Sequence, residues 1–324
     1  MIVISREAVR THLTYEACIP LVREAMVALS RDVTRQIPRQ IIDLEGGRAF
    51  GVMPGALGPG AVFGAKLISV FPENFEKGLQ SHQGLVAVFD PASGALAAMV
   101  HAGEVTAIRT AAASAVATDA LARPEAATLA ILGYGEQAHT HAHAMTKVRQ
   151  VSEVRVWGRS SERAAAFAAR LESELGRPVR ACADAREAVD GADLVCTTTA
   201  AAEPVLLGEW ITPGAHLNLV GSSRAGPAEV DVQLVARSRF FADHEQGVRL
   251  QGAEWLNALA AGVVGEDHLL GEIGQVLDGA LVGRTTPRDI TAYKSLGSIV
   301  QDLAAAGWLA EQARSLGFGV EVAF

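Results

Sequence analysis

Residues 128–138 read Thr-Leu-Ala-Ile-Leu-Gly-Tyr-Gly-Glu-Gln-Ala, and no other stretch constrains the fold of this chain as tightly. The apolar run Leu129 to Leu132 has the length and composition of a buried strand. It enters Gly133 and Gly135, places the small Ala138 three residues later, and continues into a helical pattern. Strand, glycine turn and helix N-terminus in that order form a dinucleotide-binding unit. Gly133 permits the tight turn, Gly135 lets a pyrophosphate approach the backbone, and Ala138 lets helix and strand pack closely. The first N–H groups of the helix, with Glu136 and Gln137 in its first turn, face the phosphates with a partial positive charge.

The next strand, Val154 to Trp157, ends in Gly158-Arg159-Ser160. An NAD site carries an acid there, about 20 residues after the glycines, to hold the ribose 2′-hydroxyl. Here an arginine and a hydroxyl stand in its place, and both suit a 2′-phosphate. The expected cofactor is therefore NADP(H), with NAD(H) as the alternative. In open parallel sheets ligands bind beyond the carboxyl ends of the strands. Thr197, Val220, Gly221 and Ser223, which end or follow two later strands, join the expected cofactor-binding residues.

The 324 residues suffice for two domains with real cores, and 49% apolar against 20% charged residues is a globular composition. A net charge of −8 without a basic block argues against nucleic acid as a partner. No apolar run reaches the ~18 residues of a spanning helix, so no membrane partner is expected. The start, Met1-Ile2-Val3-Ile4-Ser5-Arg6-Glu7, lacks a signal-peptide pattern, and Cys18, Cys182 and Cys196 are scattered and odd in number. A cytoplasmic location is expected.

Apolar residues at helical spacing over 14–29 predict one helix. Short apolar runs at 41–44, 49–53, 64–70 and 84–89 predict strands, with a hairpin turn at Glu45-Gly46-Gly47 and a turn at 90–94 leading to another strand. An Ala-rich helix follows over 104–122. From there strands (193–197, 216–220, 239–242) alternate with helices (161–175 among them), and Ser160 or Ser161 can cap the latter. The tail from Ile290 to about Leu316 reads as helical and ends at Gly317. The expected fold is α/β: a Rossmann-type parallel-sheet domain over 121–299 and a strand-rich α+β module over 1–120.

Three cations lie in apolar or glycine-rich surroundings: Arg39 after Pro38, Lys66 within Phe63-Gly64-Ala65-Lys66-Leu67-Ile68, and Arg109 within Thr106-Ala107-Ile108-Arg109-Thr110-Ala111. A lysine on a buried strand is costly without a partner or a task. Together the three can clamp a carboxylate, and a desolvated lysine loses basicity, which suits it to proton transfer. Ordinary ion pairing is the alternative for each. His139 and His143 lie one helical turn apart, but no other ligand-spaced cluster accompanies them, so no metal is expected.

With these residues in view, the chain resembles the ornithine cyclodeaminase/mu-crystallin family over nearly its whole length. The likeness rests on Ile37-Pro38-Arg39, Gly64-Ala65-Lys66, Val70-Phe71-Pro72-Glu73-Asn74, Ala107-Ile108-Arg109-Thr110-Ala111, the glycine turn through His141, Glu209-Trp210-Ile211-Thr212-Pro213-Gly214, Gly283-Arg284-Thr285 and Tyr293-Lys294-Ser295-Leu296-Gly297. The resemblance implies that 1–120, joined by the C-terminal helix at about 300–324, is a substrate and dimerisation domain, and that the protein is a homodimer in which Arg39, Lys66 and Arg109 hold a substrate carboxylate near the nicotinamide. It also implies that His141 belongs to the family pattern without a metal. The cyclodeaminases carry Gly-Ala-Asp after the strand at 216–220, and the aspartate serves there as acid and base. Here the segment is Gly221-Ser222-Ser223, and a serine is no carboxylate base at neutral pH.

The expected activity is NAD(P)H-dependent reduction of a small cyclic imino acid of the pyrroline- or piperideine-2-carboxylate type. Lys66, Arg109 and Ser223 are the expected catalytic residues, Ser223 by lining the pocket, and Arg39, Lys66 and Arg109 bind the substrate. The alternatives are an ornithine cyclodeaminase that uses NAD+ catalytically, an opine- or alanine-type dehydrogenase, and an NADP(H)-binding protein without turnover.

Overall fold

The structure is a computed structural model that describes residues 1–323, the side chain of Phe75 excepted. Two compact units emerge: Met1–Thr110 together with the segment that begins at Ser298, and Ala111–Gly297. In chain order the elements begin β1 (Ile2–Ile4), α1 (Arg6–His12), α2 (Tyr15–Ser30), β2 (Arg35–Gln36), β3 (Gln40–Asp43), β4 (Ala49–Ala56), β5 (Phe63–Val70), β6 (His82–Phe89), β7 (Leu96–His101) and α3 (Ala102–Leu121). Next come β8 (Thr128–Leu132), α4 (Glu136–Val148), β9 (Glu153–Trp157), α5 (Ser161–Leu175), β10 (Val179–Ala181), α6 (Ala185–Val189), β11 (Leu194–Thr197) and β12 (His216–Leu219). The chain ends through α7 (Val232–Arg237), β13 (Ser238–Ala242), α8 (Glu245–Gln251), α9 (Ala253–Ala260), β14 (Leu269–Glu272), α10 (Ile273–Leu277), β15 (Ile290–Lys294), α11 (Ile299–Leu316) and β16 (Val320–Glu321).

The first unit is built on a mixed sheet in the order β16-β1-β7-β6-β5-β4-β2, with β3 also paired to β4. Only β1 and β7 run parallel. The expected hairpin is present: Asp43 pairs with Ala49, and Glu45, Gly46 and Gly47 all take positive φ in the turn. Helix α11 packs against α2 and against β4, β5 and β6. Its small residues Ala304, Ala305, Ala306 and Gly307 let it be buried on nearly every side. That burial carries Asp302, in the first turn of α11, into the unit's interior.

The second unit is an eight-stranded parallel sheet in the order β10-β9-β8-β11-β12-β15-β13-β14. The chain leaves β8 toward β9 and β10, then returns to β11 on its other side. Strand order therefore reverses next to β8, which puts the crevice for a ligand at the carboxyl ends of β8 and β11. Leu129, Ile131 and Leu132 are fully buried, each side chain worth about 1.5–3 kcal/mol on burial. The α/β architecture is the one expected.

One expectation fails. Ile290–Lys294 is not the start of a helix but strand β15, paired on both sides between β12 and β13. All five of its residues are buried. The β-branched and aromatic side chains of Ile290, Thr291 and Tyr293 suit a strand enclosed on both faces. The helix begins only after Gly297, at its cap Ser298. The unit boundaries fall between Thr110 and Ala111, inside α3, and before Ser298, where composition placed them at 120 and 299. An unbroken Ala-rich helix carries no compositional mark of the first.

Candidate active site

In the second unit, Gly133 has φ +127 and a Cβ there would lie 2.6 Å from Thr198 Oγ1, so only glycine fits. Gly135 is the N-cap of α4 and supplies no capping side chain. A Cβ on it would meet nothing within 4 Å, which leaves open space above the first turn of α4. Glu136 starts that turn half-buried, and Ala138 is fully buried against the sheet. Gln137 Oε1 is buried without a hydrogen-bond partner among the described residues. An uncapped helix start and open space at a glycine suit a dinucleotide pyrophosphate, while the Gln137 oxygen, an acceptor, calls for a donor such as a hydroxyl.

At the end of β9, the ring of Tyr134 lies 2.3 Å from where a Gly158 Cβ would be, so this glycine is required by packing. Arg159 is exposed. The Ser160 hydroxyl accepts a hydrogen bond from Arg163 N at 3.2 Å and caps α5. Thr197 is fully buried and donates to Glu229 Oε2 at 2.7 Å. Glu229, which the sequence reading missed, also accepts from Thr199 N (2.6 Å), Thr199 Oγ1 (2.7 Å) and Gly221 N (2.7 Å). One buried carboxylate thus ties together the ends of β11 and β12. Val220 is buried, Gly221 exposed and Ser223 half-buried in the loop that follows. The neighbouring Ser222 accepts at its carbonyl from Lys294 Nζ at 2.7 Å, and the Lys294 ammonium also lies 2.8 Å from Glu254 Oε2.

In the first unit, Lys66 on β5 and Arg109 on α3 are buried, and both reach Asp302. Lys66 Nζ donates to the two carboxylate oxygens at 3.1 and 3.2 Å, and Arg109 Nε donates to Oδ1 at 2.9 Å. Arg109 Nη1 also donates to Gln301 Oε1 at 2.9 Å, while Gln301 Nε2 is buried with no partner among the described residues. Arg39 precedes β3, half-buried, and its charge is felt by Lys66 and by His82. Lys66 and Arg109 therefore share one buried acid, Arg39 adds its charge nearby, and the surplus is positive. Such a cluster holds an anion, and the unsatisfied amide donor of Gln301 offers it one more hydrogen bond.

Burial lowers the Lys66 ammonium to about 7; Asp302 opposes this fall and Arg109 adds to it. Because Arg109 competes for Asp302, the acid does not fully compensate the lysine. Burial also disfavours the Asp302 carboxylate, but the charges of Arg109 and Lys66 outweigh it and hold its pKa below the usual range. His82, at the start of β6, falls to about 4 through burial and the neighbouring cations, so its ring stays neutral at pH 7. Burial pushes the Cys18 thiol up to about 12, which excludes it as a thiolate nucleophile at neutral pH. Asp302, Gln301 and His82 escaped the sequence reading. Only Asp302 leaves a trace there, as an acid inside the apolar run Ile299-Val300-Gln301-Asp302-Leu303.

Among the histidines of α4, His141 is fully buried, with Nε2 2.9 Å from Ser114 Oγ and Nδ1 2.7 Å from the Gln137 carbonyl. His139 and His143 point elsewhere and meet Glu174 of α5.

A profile of the ornithine cyclodeaminase/mu-crystallin family matches residues 1–317. The chain is 35% identical over 308 residues to ketimine reductase mu-crystallin of Mus musculus, with 94% of each chain covered. Its fold is similar to that of Thermococcus litoralis Δ1-pyrroline-2-carboxylate reductase in complex with NADH and L-proline, at TM-score 0.96 and 32% identity over 99% of this chain and 100% of that one. It is also similar to an archaeal alanine dehydrogenase dimer with bound NAD, at TM-score 0.93 and 26% identity over 100% and 99% of the two chains. The glycine turn, the parallel sheet and the extent of these matches agree: the chain belongs to the ornithine cyclodeaminase/mu-crystallin family.

Proposed function

We propose that this protein uses NAD(P)H to reduce a small cyclic 2-imino acid of the pyrroline- or piperideine-2-carboxylate type. The observation that carries the proposal is the buried Lys66–Asp302–Arg109 cluster, in which one acid balances two cations and Arg39 adds a third. Arg39 and Arg109 bind the substrate carboxylate. Asp302 holds Lys66 and Arg109 in place. Lys66 Nζ, with its pKa brought to about 7 mainly by burial, gives a proton to the imine nitrogen, directly or through water, and regains one from solvent. The bound nicotinamide supplies the hydride for the imine carbon, and the product is the saturated cyclic amino acid. Ser223 offers no carboxylate for deamination.

Gly133, Gly135, Glu136, Gln137 and Ala138 hold the pyrophosphate, while Val220, Gly221 and Ser223 border the cofactor. Thr197 acts one step back, since its hydroxyl is committed to Glu229. Arg159 and Ser160, with no acid at the end of β9, favour NADPH over NADH. A homodimer is supported by the dimeric alanine dehydrogenase neighbour and by Ile41 and Ile42, 48% and 60% exposed on β3. A cytoplasmic site of action is supported by three cysteines that are all unpaired; among the described residues no helix is long and apolar enough to cross a membrane.

The test is a panel of five- and six-membered cyclic 2-imino acids, followed by NADPH and NADH oxidation, with L-ornithine as control. Imine-dependent oxidation is expected, faster with NADPH. Proline released from ornithine without net cofactor consumption would instead identify a cyclodeaminase, and tight NADPH binding with neither reaction would identify a binding protein.

A further inference from the structure

Outside the residues assigned above, α4 and α5 bring a second set of donors together. His139 and His143 are one turn apart on α4, so their rings share a face of the helix. Their centroids lie 4.7 Å apart at a tilt of 54°. Glu174, near the end of α5, places Oε2 2.6 Å from His139 Nε2 and 2.9 Å from His143 Nε2. Two imidazole nitrogens and one carboxylate oxygen thus converge within 4.8 Å of one another. Arg170, one turn earlier on α5, lies 3.6 Å from the other oxygen, Oε1, which leaves Oε2 directed at the histidines. The side chains of His139, His143 and Glu174 are 36%, 25% and 35% exposed, so a solvated ion can reach them.

We propose that His139, His143 and Glu174 form a binding site for a borderline divalent cation of the Zn2+, Ni2+ or Cu2+ class. Imidazole suits these ions, and three protein ligands leave one position for water or an exogenous group. A tetrahedral ion with bonds of about 2.0–2.1 Å spaces its ligands about 3.3 Å apart. The two nitrogen–oxygen separations, 2.6 and 2.9 Å, fall short of this spacing and all three donors lie within 4.8 Å of one another, so side-chain rotations have to open the site around the ion. Each Nε2 donates to Oε2; on metal binding each neutral ring exchanges its proton through solvent to Nδ1, so that the Nε2 lone pairs face the ion. Sequence spacing supplied only the two histidines. The third donor arrives from a helix more than thirty residues away in the chain. The bound ion ties α4, which opens at Gly135, to α5, which opens at Ser160, and so braces the two helices that begin at the cofactor-binding turns.

The experiment titrates the apo protein with Zn2+ by calorimetry, and with Cu2+ by electron paramagnetic resonance, for the wild type, His139→Gln/His143→Gln and Glu174→Gln. One equivalent of Zn2+ is expected to bind the wild type and raise its Tm. Affinity is expected to fall about tenfold or more in each variant, and the Cu2+ spectrum of the wild type is expected to show coupling to two imidazole nitrogens. Wild-type protein without stoichiometric Zn2+ binding, or variants that bind as tightly as wild type, would overturn the site. NADPH affinity without metal should be unchanged in these variants, since none of the three residues is assigned to the cofactor.

Discussion

In the parallel-sheet unit the candidate functional atoms are backbone N–H groups, held by glycines and one helix start inside eleven consecutive residues. In the mixed-sheet unit they are side chains from β5, α3 and α11, and Lys66 meets Asp302 across 236 residues of chain. The first kind of site needs the absence of side chains: a Cβ at Gly133 strikes Thr198, and one at Gly135 would stand in the open space above the first turn of α4. The second needs charged side chains brought out of water, which is tolerable only because each cation finds the same acid. The backbone part of such a site is most sensitive to glycine replacement. A buried charge cluster depends on every member, and its chemistry follows from the mismatch of two firmly buried cations to one carboxylate.

The largest expected effect breaks the comparison at its chemical end. Lys66→Met should lower kcat for imine reduction by about 10²–10⁴-fold while the Kd for NADPH, read by fluorescence titration, stays near wild type. Loss of both together would mean that the two sites are not separable. In the wild type, kcat/KM for reduction should fall as pH rises through about 7, because Lys66 then loses the proton it donates. A profile flat from pH 6 to 9 would remove Lys66 from the role of acid.

Asp302→Asn should cost about 3–5 kcal/mol in urea-induced unfolding, since Lys66 and Arg109 are left buried without a counter-charge. A variant as stable as wild type would show that the cluster is better solvated than its burial implies. Gly133→Ala should cost about 1–3 kcal/mol, from φ +127 and the 2.6 Å approach to Thr198. It should weaken NADPH binding and leave the buried cluster of the other unit intact. The smallest effect tests the cofactor end: Arg159→Ala should reduce the preference for NADPH over NADH by about tenfold with NADH kinetics unchanged. Equal losses with both cofactors would assign Arg159 a structural role.

Several local elements were readable because their causes lie within a few residues. The hairpin at Glu45-Gly46-Gly47, the Ser160 cap and the αL end of α11 at Gly317 each follow from one turn of backbone. Misreading Ile290–Lys294 as helix has the opposite cause. Its lysine and its short length hide a strand that exists because β12 and β13 pair with it on either side. Lys294 is tolerable there only because Glu254 and the Ser222 carbonyl receive its ammonium. Glu229 was likewise silent, since nothing near it in sequence marks an acid that gathers Thr197, Thr199 and Gly221.

The sequence by itself determined the dinucleotide turn, the alternating α/β half and the three suspect cations, because glycine conformations, apolar periodicity and the cost of a charge among apolar neighbours are local properties. The tertiary structure alone decided that Lys66 and Arg109 share Asp302, that Glu229 ties two strand ends and that Glu174 completes a pair of histidines. Each of those pairings depends on which buried faces pack together. That is set by the sum of burial over whole helices and sheets, and no single residue carries it in its neighbourhood.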